Sequence, residues 1–325
     1  MRVSIGVPIY RVEDYIERCA RSLFAQTYHN IEYIFVNDST PDKSMEVLLR
    51  VLEDYPERKK DVKIYNNEKN VGLAQTRNRI ISYCSGDFIY NIDSDDYIEL
   101  NTIELLVRKQ EDSEADIVTA DMIINENTVN PNYITPFYQS IREMLLDLLS
   151  QVYHHELCGR LIRKSLFDKL DVKAVEGHDI GEDWLVTPKL VYYSKRLAFV
   201  RGFLYHYNFQ NVNSYMYNYN KAENKKKLNN KNIQTLLNLK AFFYSKNEKE
   251  FCSVLSEYIL KLISKGINLS LETNDKMYYY IMLDYLYSME DGIKNKFWGN
   301  NPIKEFIKKN FTLYFCYYKL KKILS

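Results

Sequence analysis

Three carboxylates stand close together in this chain, at Asp93, Asp95 and Asp96, with Ser94 between the first two. They follow the apolar run 88–92, whose composition is typical of a buried strand. Like charges at this spacing repel, so a fold tolerates them best where water or a cation offsets the charge. Carboxylate oxygens are preferred ligands of Mg²⁺ and Mn²⁺. The alternative is an acidic turn that caps the following helix.

A second acidic pair, Glu182 and Asp183, precedes Trp184 and a helical pattern that begins near residue 185. A carboxylate in such a position can accept a proton from an attacking hydroxyl, which makes Asp183 a candidate general base. The alternative is structural, because acidic residues at a helix N-terminus also stabilise the helix dipole.

Short β-branched runs alternate with helical patterns in the first 120 residues and position these side chains. The pattern predicts strands at 3–9, 31–36, 62–65, 87–92 and 115–120, and helices at 12–26, 42–55, 72–83 and 100–110. Such alternation is typical of a doubly wound, mostly parallel sheet, which binds ligands at the carboxyl edge of its strands. Asp38 follows the second strand and Asp93 the fourth, so both are expected at that edge.

The alternation stops near residue 125. We expect helices at 140–151 and 185–193, an element at 155–170 with a helical second half, and a strand at 197–207. Pro188 restricts the second helix to a start near that residue or a kink. The lysine-rich stretch 221–231 marks either a boundary or the solvated start of a helix, and as a boundary it predicts domains 1–220 and 221–325. The second domain contains amphipathic helices at 233–244, 251–264 and 275–287.

Composition excludes several classes of protein. The 44 basic and 43 acidic residues nearly cancel, so nothing favours a nucleic-acid partner. No apolar run is long enough to span a membrane, and the N-terminus lacks the features of a signal peptide. The five cysteines form no close pairs, which indicates reduced thiols. We therefore expect a cytoplasmic enzyme.

Six segments, in order, resemble the family 2 glycosyltransferases of the GT-A fold, which are inverting, metal-dependent enzymes. The segments are Val3–Tyr10, Ser22–Glu32, Phe35–Asp42, Asn70–Asn78, Gly86–Asp96 and Gly181–Trp184. The resemblance covers about the first 210 residues. It implies a GT-A catalytic domain, here with a C-terminal helical extension.

The resemblance also implies a role for each candidate residue. Asp183 is the catalytic base, and Asp95 binds a metal, Mn²⁺ or Mg²⁺, that bridges the donor diphosphate. The donor-binding residues are Pro8, Tyr10, Asp38, Arg77, Asp93 and Ser94. Acceptor or loop residues are Glu182, Trp184 and His206.

Two of the donor residues have structural alternatives. Asp38 matches the residue that accepts the N3–H of a uracil, but it can equally be a turn aspartate that bonds its own backbone. The family commonly has glycine after this aspartate, whereas Ser39 follows it here. Arg77 can donate to base or phosphate oxygens, or it can be a surface arginine that covers apolar area.

The function implied is transfer of a sugar from a nucleotide sugar, a UDP-sugar, to a hydroxyl of a glycan or lipid-linked acceptor in surface polysaccharide synthesis. One alternative is a sugar nucleotidyltransferase, although residues 8–11 lack the glycine-rich basic loop it needs. Another is a non-catalytic partner that retains the fold. Lysines and aromatic residues mix in 303–324, which favours either peripheral contact with the inner face of a membrane or a solvated face with its aromatic side packed inward.

Overall fold

The computed structural model describes residues 1–125, 129–169, 172–212, 214, 224–289, 310 and 315. The chain divides into two compact units, Met1–Asn218 and Tyr219–Ser325. The predicted boundary residues 220 and 221, and nearly all of the lysine and aromatic segment 303–324, lie outside the described residues.

The first unit is built on one eight-stranded sheet. Its strands are β1 Val3–Ile9, β2 Ile31–Asn37, β3 Val62–Asn66, β4 Phe88–Asn91, β5 Tyr97–Ile98, β6 Ile117–Ile124, β7 Arg160–Arg163 and β8 Leu197–Tyr207. They are ordered β3-β2-β1-β4-β7-β6-β8-β5. Six strands share one direction, whereas β7 and β5 pair antiparallel with their neighbours. The predicted mostly parallel α/β sheet is confirmed.

Helices connect the strands and cover the sheet. They are α1 Ile16–Phe24, α2 Ser44–Glu53, α3 Leu73–Tyr83, α4 Thr102–Ser113, α5 Ile141–Ser150 and α6 Glu182–Tyr193. The core forms because the central strands are apolar on both faces: β1 has no exposed residue and β2 is buried except at its last position. Helix α1 shows the matching one-sided pattern, with Ile16, Cys19, Ala20 and Leu23 buried.

The prediction of a helical second half for 155–170 was wrong. Residues Arg160–Arg163 form β7 instead, which lies between β4 and β6 and is followed by one short 3₁₀ turn. A four-residue segment, here Arg-Leu-Ile-Arg, is too short to show a strand or helix period, so its partners decide its conformation. The two-residue strand β5 was missed for the same reason. Helix α6 starts at Glu182, before the predicted start, and continues through Pro188.

The second unit contains α7 Lys225–Ser245, α8 Lys249–Glu272 and α9 Lys276–Tyr287. Helix α8 packs against both α7 and α9. The buried Asn229 of α7 donates to the backbone oxygen of Leu262 at 3.0 Å and to the Tyr278 hydroxyl at 3.2 Å, and thereby joins the three helices. Among the described residues, no helix combines the length and the apolar character that crossing a membrane requires.

A buried carboxylate on β2, Glu32, joins β1, β2 and the segment before β4 by hydrogen bonds at the amino edge of the sheet. Glu32 accepts hydrogen bonds from the Ser4 hydroxyl at 2.6 Å, the Gly86 N–H at 3.1 Å and the Lys63 ammonium at 3.0 Å, and from the N–H and hydroxyl of Ser85. Burial alone would raise the pKa of Glu32, but these donors outweigh it and lower the pKa to about 2.

We expect Glu32→Gln to lower the free energy of unfolding by about 1–3 kcal/mol at pH 7, because the neutral amide cannot satisfy all of these donors. In the wild type the folded-state pKa is depressed below its ordinary 4.5. The stabilisation is therefore fully present above pH 4.5 and is lost as the pH falls from 4.5 towards 2. Urea unfolding between pH 7 and pH 3 measures both effects.

The matched control is Glu46→Gln, on the exposed side of α2. It should change the free energy of unfolding by no more than about 0.5 kcal/mol. Equal stability of Glu32→Gln and Glu46→Gln at pH 7 would contradict the assigned role of Glu32.

Candidate active site

The guanidinium of Arg77 joins three predicted site residues from two other parts of the fold, the turn after β4 and the first turn of α6. Arg77 lies on α3, with only 4% of its side chain exposed. One of its amino groups donates to Glu182 and, at 2.8 Å, to Asp183 Oδ1, both in the first turn of α6. The other donates to Asp93 Oδ1 at 2.6 Å, just after β4. One buried cation therefore holds two separate acidic motifs together at the carboxyl edge of the sheet.

The charges at this junction do not balance. Burial alone would lower the pKa of Arg77, but the carboxylates of Asp183, Asp93 and Glu182 outweigh it and raise that pKa well above its ordinary value. Burial, followed by the charge of Asp183, raises the pKa of Glu182 well above its ordinary value. Burial and the charges of Asp93 and Glu156 raise the pKa of Asp183 to about 6, although Arg77 opposes this. Asp183 thus combines a carboxylate form at neutral pH with raised basicity.

Residues 93–96 form an acidic turn that follows β4, and the remaining acidic residues, Asp95 and Asp96, lie in it. The loop after β8 contacts both: Asn211 Nδ2 donates to Asp95 Oδ2 at 2.7 Å, and the Asn208 N–H donates to Asp96 Oδ1 at 2.7 Å. The Tyr205 hydroxyl also donates to Asp96. Burial and the charge of Asp93 raise the pKa of Asp95 to about 6. The turn therefore carries more negative charge than its protein donors neutralise.

The donor atoms in this turn fit a divalent cation. Carboxylate oxygens of Asp93 and Asp96 and the sulfur of Cys158 lie within 4.8 Å of one another. Burial raises the pKa of the Cys158 thiol well above its ordinary value, so the carboxylates are the better ligands. Oxygen ligands suit Mg²⁺ and Mn²⁺. Asp95, the predicted metal ligand, lies in the same turn but outside this group of three.

The predicted base-recognition residues lie at the ends of β1 and β2. Pro8 and Tyr10 are half-buried at the end of β1, and the Asp38 N–H donates to the backbone oxygen of Ile9 at 2.9 Å. Asp38 Oδ1 accepts from the Val71 N–H at 2.8 Å, and its Oδ2 accepts from the Gly72 N–H at 3.0 Å. These partners lie more than 30 residues away, so Asp38 is not a turn aspartate that bonds its own backbone. Its contact with a uracil remains a prediction.

Ser39 adopts a left-handed backbone conformation, with φ of 58°. This is the conformation for which glycine is usual, and glycine is what the family commonly has at this position. The next residue, Thr40, accepts the Arg11 N–H at 2.8 Å through its hydroxyl, which ties the turn after β2 to the turn after β1. The turn after Asp38 therefore keeps the backbone conformation that glycine would adopt, although serine stands at this position.

The other predicted residues are more dispersed. Ser94 is buried in the acidic turn. The Trp184 ring lies 5.4 Å from the ring of His155, measured between centroids. His206 contacts Glu99 through Nε2 at 2.6 Å and stacks on Tyr97. Its neighbours along β8, rather than His206 itself, reach the acidic turn.

Sequence reasoning missed the residues that hold the acidic motifs in place. They are Cys158, Tyr205, Asn208 and Asn211 at the acidic turn, and Asn78 behind the candidate base. For Asp179 the sequence predicts only a loop position, either solvated or touching the acceptor. Their contacts join residues about 65 to 115 positions apart, and no spacing along the chain reveals them. One indication of these contacts was present in the sequence. The predicted strand 197–207 contains Tyr205 and ends just before Asn208, and a parallel strand ends at the carboxyl edge of the sheet.

Residues 4–171, about half of the chain, match the family described as Glycosyl transferase family 2. The chain belongs to glycosyltransferase family 2. The GT-A fold predicted from the sequence is confirmed by the structure of S. aureus TarS 1–349 in complex with UDP-GlcNAc. That structure is similar with a TM-score of 0.66 at 18% identity and covers 90% of this chain and 83% of that chain.

Two curated relatives of this family 2 protein are similar to it over nearly two thirds of its length. Glycosyltransferase GlyA of Streptococcus pneumoniae is 28% identical over 218 residues, which cover 63% of this chain and 30% of the relative. Minor teichoic acid biosynthesis protein GgaB of Bacillus subtilis is 28% identical over 210 residues, which cover 63% of this chain and 22% of the relative. The chain thus spans less than a third of the length of either relative.

Proposed function

We propose that this family 2 glycosyltransferase moves a sugar from a UDP-sugar to a hydroxyl of a glycan or lipid-linked acceptor, with inversion at the anomeric carbon. The observation that carries the proposal is the Arg77 junction, which holds Asp93 of the acidic turn and Asp183 of α6 on one guanidinium. A donor-binding carboxylate and a proton acceptor then lie side by side, as a single displacement requires.

The acidic turn receives the diphosphate of the donor in this proposal. Asp93, Asp95 and Asp96 would hold Mn²⁺ or Mg²⁺, which would neutralise the charge that develops on the leaving nucleoside diphosphate. The protein's own part is to keep the three carboxylates close together against their repulsion. Arg77, Asn211 and the Tyr205 hydroxyl do so by hydrogen bonding.

Asp183 then takes the proton of the acceptor hydroxyl as the oxygen attacks the sugar. Its pKa of about 6 lies close enough to neutral pH for the carboxylate form to predominate while remaining a useful base. Attack on the face opposite the leaving group inverts the configuration. The raised pKa values of Asp95 and Asp183 also favour catalysis over a non-catalytic role, because such shifts cluster at functional sites.

The class of acceptor is proposed from the relatives. GgaB is a minor teichoic acid biosynthesis protein, and TarS was crystallised with UDP-GlcNAc. We infer a role in surface polysaccharide synthesis, with the lysine and aromatic segment 303–324 contacting the inner face of the membrane near a lipid-linked acceptor.

We expect UDP to bind at least about tenfold more tightly with Mn²⁺ or Mg²⁺ than with EDTA, a gain of about 1.4 kcal/mol. Asp95→Asn should remove this gain and abolish metal-dependent transfer, because the amide lacks the charge that binds the cation. Asp112→Asn, on the exposed side of α4, is the matched control and should behave as wild type. Calorimetry measures the affinities, and equal UDP affinity with and without metal in the wild type would refute the bridging role.

A further inference from the structure

The segment 172–181, which leads into the candidate base, is attached to α3 at two places. Asn78 Nδ2 donates to the backbone oxygen of Ala174 at 2.8 Å, and the Ala174 N–H donates back to Asn78 Oδ1 at 3.1 Å. Further along, Asp179 Oδ1 accepts the N–H of Ala74 at 3.1 Å. The side chain of Asp179 therefore contacts the first turn of α3 across 105 residues of sequence.

Asp179 supplies a cap that α3 lacks locally. The N-cap residue of α3 is Gly72, which has no side chain to accept the free N–H groups of the first turn. A carboxylate is well suited to this place, because the helix dipole favours negative charge there. Gly72 has φ of 87°, and a β-carbon at this position would lie 2.4 Å from Asp179 Oδ1. Glycine thus provides both the backbone conformation and the space for the carboxylate.

The same turn is held from the donor side. Asp38 Oδ2 accepts the Gly72 N–H at 3.0 Å, whereas Asp179 accepts the Ala74 N–H two residues later. The N-terminus of α3 therefore lies between two carboxylates. One is Asp38, from the predicted nucleobase pocket, and the other is Asp179, from the segment that leads into Asp183. One turn further along α3, Arg77 bonds Asp183 directly.

We propose that Asp179 is a positioning residue for the candidate base Asp183. It fixes the chain on the first turn of α3 four residues before Asp183, while Arg77 fixes Asp183 from the next turn. With both attachments, Asp183 keeps its place relative to the acidic turn. With Asp179 lost, the segment loses its attachment to the first turn of α3, while the Arg77 and Asn78 contacts are kept. This inference rests on the proposed function of Asp183, and Asp179 itself acts only through it.

Turnover tests the proposal with a matched set of variants. We expect Asp179→Ala to lower kcat by about ten- to a hundredfold, because small misplacements of a catalytic group are costly, while the donor KM stays near wild type. Asp179→Asn keeps an oxygen that can accept the Ala74 N–H and should restore most of kcat. Glu176→Ala removes the same charge from an exposed site in the same segment and should leave kcat unchanged.

Backbone hydrogen exchange gives a readout that does not depend on activity. In Asp179→Ala the N–H of Ala74 and the first turn of α6 should exchange faster, and in Asp179→Asn they should be protected nearly as in the wild type. Should Asp179→Ala fail to fold, Asn78→Ala removes the other attachment of the segment. The first turn of α6 should then exchange faster, while the N–H of Ala74 stays protected by Asp179. Wild-type exchange and wild-type kcat in the folded variant overturn the proposal.

The two readouts separate this inference from the function it rests on. If the wild type transfers sugar from no nucleotide sugar, the proposed function fails. In that case faster exchange at the first turn of α6 in Asp179→Ala still supports the positioning of Asp183, and unchanged exchange overturns it.

Discussion

Asp183→Asn is expected to lower turnover by roughly a hundred- to ten-thousand-fold while UDP binds almost as tightly as to the wild type. Asparagine has the shape of aspartate, and its oxygen can still accept the hydrogen bond that Arg77 donates at 2.8 Å. It has no basic carboxylate, however, so the acceptor hydroxyl keeps its proton as it attacks. Steady-state kinetics and calorimetry with UDP measure the two quantities.

The neighbouring carboxylate is the control for this substitution. Glu182 also lies in the first turn of α6 and bonds Arg77, but only 6% of its side chain is exposed, against 18% for Asp183, so an acceptor hydroxyl reaches it less readily. Glu182→Gln should therefore lower turnover less than Asp183→Asn. In the wild type, turnover should fall as the pH decreases through about 6, where Asp183 becomes protonated. A folded Asp183→Asn variant with wild-type turnover would exclude Asp183 as the base.

Arg77→Met is expected to have the largest effect on stability. It leaves Asp93, Glu182 and Asp183 close together without the cation that all three contact. Removing one partner from a buried ion pair costs about 3–5 kcal/mol, because the remaining charge stays buried. Part of this cost is relieved as the carboxylates take up protons, which also removes the base. We therefore expect a lower free energy of unfolding and the loss of transfer.

Two further substitutions sharpen this test. Arg77→Lys keeps the positive charge but loses the fork that reaches three carboxylates, so it should recover part of the stability and little of the turnover. Arg108→Met, on α4 with 69% of its side chain exposed, should change the free energy of unfolding by no more than about 0.5 kcal/mol. If urea unfolding finds Arg77→Met as stable as Arg108→Met, the Arg77 junction does not stabilise the fold.

Strands with a strong hydrophobic pattern could be predicted closely. The predicted bounds of β1 and β8 agree with the structure, and the placement of Asp38 and Asp93 at the carboxyl edge of the sheet followed from the βα alternation. The strands that precede them, β2 and β4, lie on either side of β1 and run parallel to it. These features depend on local composition and on the short-range rules of α/β folds. The carboxyl edge of the sheet was therefore predictable before any contact was known.

Contacts between distant segments could not be predicted. Nothing in the sequence indicated that Arg77 pairs with both acidic motifs, or that Asn211 and Tyr205 bond the acidic turn. The strand β7 was missed because four residues show no period, and its insertion between β4 and β6 depends on those neighbours. Nor did the sequence indicate that His206, predicted as an acceptor or loop residue, stacks on Tyr97 and contacts Glu99.

The anomeric configuration of the product tests the central claim most directly. Proton NMR can follow the anomeric signal while the protein, Mn²⁺, a UDP-sugar and an acceptor alcohol react. Because UDP-sugar donors are commonly α-linked, a single displacement with Asp183 as the base predicts a β-linked product that accumulates only when metal is present. A product with retained α configuration would contradict the account.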